Sequence, residues 1–183
     1  MGRYWWCDSN VPDIIKRNAL MENEIGLMKG TFRKGIHVPI EAQAAWDVPF
    51  KIETIDLKLN IDDPDEIYWL ITFKFHKRED YPKAKFHSDK IFKLKVVYDN
   101  RHPYKEPKAY PYYDSGNDFT MFRLRLDYHQ FDDGSLCLWD HTSSTENGWD
   151  PATGTGLTIA LWGIQWFRAM LRAKKTGDFP ATA

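Results

Sequence analysis

Hydrophobic and polar positions change their rhythm along the chain, and the changes mark the elements. From about Pro12 to Met28, Ile14, Met21, Ile25 and Met28 fall on one stripe at helical spacing, which predicts an amphipathic helix. Ser9 or Asn10 suits its N-cap, Pro12 its first turn and Gly30 its exit. The period then drops to two. Ile55, Leu57, Leu59 and Ile61 alternate with Asp56, Lys58 and Asn60, and Ile67, Trp69, Ile71, Phe73 and Phe75 alternate with more polar neighbours. Phe92, Leu94, Val96 and Tyr98 repeat the pattern against Lys93 and Lys95, as do Phe122, Leu124 and Leu126 against Arg123 and Arg125. Four such strands predict an antiparallel meander with one face open to water. Asp62-Asp63-Pro64-Asp65 and a looser segment from Arg78 to Asp89 supply the connections.

From Asp127 to about Gly156 the periodicity stops. Asp-Gly, Asn-Gly and Gly-Thr-Gly elements predict a long loop, and loops of that length in a compact domain carry function or stay disordered. A last helix runs from about Leu157 to Ala173, apolar on several sides, with Lys174 and Lys175 at its C-terminus. The expected fold class is α+β: N-terminal helix, four-stranded antiparallel meander, active-site loop and C-terminal helix. At 183 residues the chain suits one domain, 1–183, with a core of its own.

Charge narrows the partners. Lys and Arg number 25 against 26 Asp and Glu, so no basic excess points to nucleic acid or an anionic membrane surface. No apolar run is long enough to span a bilayer, and the opening Met1–Trp6 has too short an apolar stretch to read as a signal peptide. Two cysteines, Cys7 and Cys137, make no disulfide framework, and a reducing, cytoplasmic location follows as the expectation. The six His and two Cys show no zinc spacing, so neither a metal nor another cofactor is expected. Cys7, in Tyr4-Trp5-Trp6-Cys7, reads as a packed or surface thiol.

Three segments carry the candidate chemistry. Asn100-Arg101-His102-Pro103-Tyr104-Lys105-Glu106-Pro107 follows the third strand, and its prolines favour a rigid extended crossover, which His102 helps to fix. His129-Gln130-Phe131-Asp132-Asp133-Gly134-Ser135-Leu136-Cys137-Leu138-Trp139 places a thiol in a polar, Gly-containing loop. Trp149-Asp150-Pro151-Ala152 precedes the last helix and reads as a structural brace for the loop. In this order and spacing, over roughly Pro12 to Leu171, the segments resemble the core of the ubiquitin-conjugating enzymes. That family shows a first helix, a four-stranded meander, a proline-containing crossover, a Gly-Ser-x-Cys-Leu segment with the active cysteine, and a Trp-x-Pro-Ala segment before the next helix. The usual His-Pro-Asn triplet is missing, and His129 falls at its Asn position, eight residues before Cys137. The loop between Cys137 and Trp149 is longer than the family's, the segment from Thr31 to Pro49 is long, and little follows the last helix. The pattern is most similar to compact bacterial relatives found beside ubiquitin-like and activating-enzyme-like proteins. Some of these serve in antiphage defence, where the cargo is the C-terminus of a cyclic-nucleotide synthase.

The resemblance implies a transferase that receives a ubiquitin-like C-terminus on Cys137 as a thioester and yields it to an amine of an acceptor protein. An adenylating, ubiquitin-activating-like enzyme supplies the charge. The thiolate is the attacking form: Asp132, Asp133 and Asp140 raise the thiol pKa, while protonated His129 or His141 lowers it. Aminolysis passes through an oxyanion that needs a donor, and His129 is the candidate for that donor or for the general base. The catalytic candidates are therefore Cys137 and His129. Two rival readings use the same residues differently: a non-catalytic binding module on the same fold, and a cysteine hydrolase built from Cys137 and His129.

Overall fold

The structure, a computed structural model, describes residues 14–33, 37–40, 50–61, 66–77, 90–114, 119–121, 129–138, 149–177 and 179. Helix α1 spans Ile14–Thr31 and helix α2 spans Gly156–Thr176. Between them come β1 (His37–Ile40), β2 (Phe50–Asn60), β3 (Tyr68–Lys77), β4 (Phe92–Val97), β5 (Lys108–Asp114) and β6 (Phe119–Met121). The six strands form one antiparallel sheet in sequence order, so every strand neighbours the one before it. The expected α+β order of helix, meander and helix is present, with the meander carried by the four longest strands, β2 to β5.

Alternation built β3 and β4 as expected. Trp69, Ile71, Phe73 and Phe75 of β3 and Phe92, Leu94 and Val96 of β4 are buried on the helix-covered face. Their rings interlock there: Phe73 and Phe92 both meet Phe167 of α2, at centroid separations of 5.4 and 5.0 Å. Burying a side chain of this size stabilises the fold by about 1.5–3 kcal/mol before entropy is counted. Gly163 lets α2 lie directly on β4; a methyl group there would come within 2.7 Å of Leu94.

Three sequence expectations need correction. β2 begins at Phe50, five residues before Ile55, and buries Ile52 and Thr54. A bulge between Thr54 and Asp56 inserts a residue, after which Leu57, Leu59 and Ile61 face the core. The inserted residue reverses the phase, so alternation read from Ile55 hides the first half of the strand. The strand beside β4 is β5, not Phe122–Leu126, which lies outside the described residues. β5 contains Pro111, opposite Leu94, and proline argues against a central strand. Among the described residues β6 pairs β5 only over Tyr112–Asp114, so Pro111 is paired on one side alone. Finally, α1 runs through Gly30 to Thr31 rather than ending before it. The proposed caps Ser9, Asn10 and Pro12, and the connections at 62–65 and 78–89, lie outside the described residues.

Candidate functional site

Two clusters of chemistry-bearing residues stand out, and they differ in depth. The first is a buried clasp around Glu24. On α1, Glu24 occupies the same stripe as Met21, Ile25 and Met28, so its carboxylate enters the core, with only 3% of the residue exposed. Three donors from distant segments converge on it. Tyr98 Oη, after β4, donates at 2.7 Å, and Gly156 N–H, the first residue of α2, at 2.9 Å to the same oxygen. His102 Nε2 donates to the other oxygen at 3.0 Å, and the His102 side chain is wholly buried. Burial first, and the adjoining Glu24 carboxylate second, push the Tyr98 phenol well above its usual value.

The clasp extends to the segment before α2. The Trp149 indole donates to Pro103 O at 2.6 Å and lies 5.8 Å, centroid to centroid, from the His102 ring. Asp150 then accepts from Ala152 N–H and Thr153 Oγ1, folding the chain into a turn. Thr155 caps α2 through a reciprocal pair with Thr158. Gly156 is required where it stands: a Cβ would fall 2.1 Å from Tyr98 Oη. His102 and Trp149 thus fix the crossover, but as a turn closed by His102 N–H to Asp99 O and Lys105 N–H to Arg101 O, not as the extended segment its prolines suggested; the loop at 139–148 lies outside the described residues. Glu24 was missed, although its position on an otherwise apolar stripe was the available signal.

The second cluster is the Cys137 hairpin. Gln130 and Leu136 pair antiparallel, and Cys137 N–H donates to His129 O at 2.9 Å, so the two sequence-predicted site residues sit opposite one another. Phe131 N–H donates to Ser135 O and Gly134 N–H to Phe131 O, both at 2.8 Å, closing a tight turn over Asp132 and Asp133. Gly134, with φ of 85°, takes the left-handed position that such three-residue hairpin loops need. The Gln130 amide donates to Gly134 O from inside the turn.

The hairpin is tied to β5 at two points. Leu136 N–H donates to Ala109 O at 2.8 Å, and Lys108 Nζ meets Asp133 Oδ2 at 2.6 Å. Partial burial opposes ionisation of Asp133, but Lys108 and the Ser135 hydroxyl and N–H outweigh it and hold its carboxyl at about 2. Asp133 is thereby committed to the scaffold. Cys137 is half-buried and makes no disulfide, while His129, Phe131 and Asp132 are exposed. His129 has φ of 53°, the left-handed region that costs a side-chain-bearing residue energy and which His visits more readily than most. Cys7, Asp140 and His141 lie outside the described residues.

A small cradle of this kind offers a reachable thiol with an imidazole-bearing residue paired to it through the backbone. Among the described residues no three His, Cys, Asp or Glu side chains are grouped to hold a metal ion, and no helix is long and apolar enough to cross a membrane. Comparisons of the chain with protein-family models, with curated proteins and with solved structures find no match.

Proposed function

We propose that the chain is a ubiquitin-like-protein conjugating transferase that carries acyl cargo as a thioester on Cys137. The observation that supports this most is the hairpin. A half-buried cysteine, whose backbone N–H donates to His129 O, is carried on a turn anchored to the last long strand of an antiparallel meander. The order of helix, meander, cysteine loop and helix is that of the ubiquitin-conjugating fold, which is proposed along with the activity.

In the charging step the Cys137 thiolate attacks the carbonyl of an activated C-terminus. The C–S bond to Cys137 forms as the bond to the activating enzyme's thiol breaks, and that thiol leaves. In the discharge step an amine nitrogen attacks the thioester carbonyl, an oxyanion forms, the C–N bond is completed and Cys137 leaves as thiolate. The proton lost by the amine passes to a base. His129 serves either as that base or as the N–H donor to the oxyanion, the role Asn fills in the family. The cargo is a ubiquitin-like protein or a cyclic-nucleotide synthase C-terminus, charged by an adenylating enzyme and delivered to an acceptor protein in the cytoplasm, in a bacterial antiphage defence setting.

The test is a charging reaction with the activating enzyme and cargo encoded beside this chain, ATP, and wild-type or Cys137→Ala protein. A reductant-sensitive adduct on the wild type, absent from Cys137→Ala, supports the transferase. Absence of any adduct favours a binding module on the same fold. Multiple-turnover hydrolysis of a small thioester to the free acid, with no amine acceptor, activating enzyme or ATP, favours the hydrolase.

A further inference from the structure

The ring of His129 has a neighbour that the reaction as described does not use. Helix α2 stops at Gly177, whose left-handed backbone caps it with an N–H bond to Ala173 O at 2.8 Å. Two residues later Phe179 lies against the hairpin. Its ring is 5.5 Å from the His129 ring, centroid to centroid, with 30° between the planes. The other side of this contact is solid: Phe179 also meets Trp166 of α2 at 6.3 Å, and Trp166 is 1% exposed. A continuous path therefore runs from the core through Trp166 and Phe179 to the imidazole.

His129 needs such a support. An exposed imidazole on a surface loop samples several rotamers, and fixing one costs entropy. The backbone of His129 is already determined, by its left-handed φ and its bond to Cys137 N–H, and residues held in sparsely populated backbone regions cluster where the surroundings over-determine them. The backbone contact fixes where the residue is; the Phe179 ring fixes how the imidazole lies. The energy of a ring pair at this separation depends on the mutual orientation of the rings, so the tilted contact with Phe179 restricts how the imidazole can turn.

We infer that Phe179 is a positioning residue for His129, a ring from beyond α2 that holds the imidazole in its working orientation beside Cys137. This rests on the transferase reading. It assigns the segment after α2 a part in the chemistry through Phe179 alone.

The experiment has two readouts. First, the imidazole proton resonances of His129 are compared by NMR in uncharged wild type, Phe179→Ala, Phe179→Leu and Phe179→Tyr. Ring-current displacement is expected in wild type and Phe179→Tyr and its loss in the Ala and Leu variants; Phe179→Leu keeps apolar cover on Trp166 and so guards against a folding defect. Second, Cys137 is loaded with an acetyl group by exchange with a small acetyl thioester, and discharge to free lysine is followed by intact mass. Discharge is expected to fall about tenfold in Phe179→Leu, to recover in Phe179→Tyr, and to show no further fall when Phe179→Leu is added to His129→Ala. Equal discharge in wild type and Phe179→Leu overturns the inference, as does an additive loss in the double variant. Unchanged His129 resonances in Phe179→Leu overturn it as well. If His129→Ala itself discharges like wild type while the ring-current displacement stands, the inference falls because the catalytic reading of His129 has failed, not the ring contact.

Discussion

The Glu24 clasp and the Cys137 hairpin both gather titratable side chains, yet they are built in opposite ways. The clasp is deep and long-range: one carboxylate satisfies donors from the end of β4, the crossover and the start of α2. The hairpin is shallow and short-range, closed by bonds between residues two to eight positions apart and tied to β5 by one backbone bond and one half-exposed ion pair. Depth identifies the scaffold here. In the clasp both oxygens of the carboxylate accept bonds from the protein's own donors. In the hairpin the scaffold roles are taken by Asp133, Gln130 and Gly134, leaving Cys137 half-buried and His129 at the surface.

The contrast is open to mutation, and the largest effect belongs to the clasp. Glu24→Ala leaves the Tyr98 hydroxyl, the His102 imidazole and the Gly156 N–H without their buried acceptor, and is expected to destabilise the fold by about 3–5 kcal/mol in urea unfolding. At temperatures where the variant remains folded, discharge of Cys137 is expected to follow the wild type. A selective loss of discharge with stability intact would place the clasp in the chemistry and erase the distinction. His129→Ala is expected to do the reverse. Discharge falls by about 10²–10³-fold, the usual cost of one lost oxyanion donor, with unfolding free energy within about 1 kcal/mol of wild type. His129→Asn, which keeps a side-chain N–H, tolerates the left-handed backbone and cannot take up a proton, is expected to retain most of the activity if His129 donates to the oxyanion and to lose it as His129→Ala does if His129 is the base.

The smallest effect concerns the tie to β5. The Asp133 carboxyl in the folded protein lies at about 2, below its ordinary value of 3.8. Its contribution to stability is therefore fully present above about pH 5 and is lost as pH falls toward 2. Because Lys108 and Asp133 are 49% and 43% exposed, solvent screening leaves less than about 1 kcal/mol. Asp133→Asn is expected to flatten the acid limb of the stability profile by that amount, lowering stability at pH 7 by less than about 1 kcal/mol and leaving it unchanged near pH 2. A larger loss at neutral pH would mean that the turn depends on the charge and not on its backbone bonds.

Much of this layout was legible in the sequence because alternation and helical stripes report burial directly. Phe92, Leu94 and Val96 needed no context, and Ile25 and Met28 predicted the face of α1 that packs. What escaped was context-dependent. The bulge after Thr54 reverses a phase that alternation assumes constant. β5 carries Pro111 and polar neighbours because one of its sides lacks a partner at that point among the described residues, a fact of sheet order and not of local pattern. At the site, Cys137 and His129 were picked out by the resemblance to the ubiquitin-conjugating enzymes, and the hairpin that pairs them follows from Asp132-Asp133-Gly134. The Glu24 carboxylate and the Phe179 ring reach their partners across 132 and 50 residues of chain respectively, and no local rule registers such contacts.

Thioester carriage on Cys137 is tested most directly by changing the atom that would carry it. Wild type, Cys137→Ala and Cys137→Ser are charged side by side with activating enzyme, cargo and ATP, and the adducts are mapped by peptide mass with and without reductant. The account predicts a reductant-labile adduct at position 137 in the wild type, none in Cys137→Ala, and a reductant-resistant ester at position 137 in Cys137→Ser. An adduct that persists unchanged in Cys137→Ala, or that maps to another residue in the wild type, would contradict it.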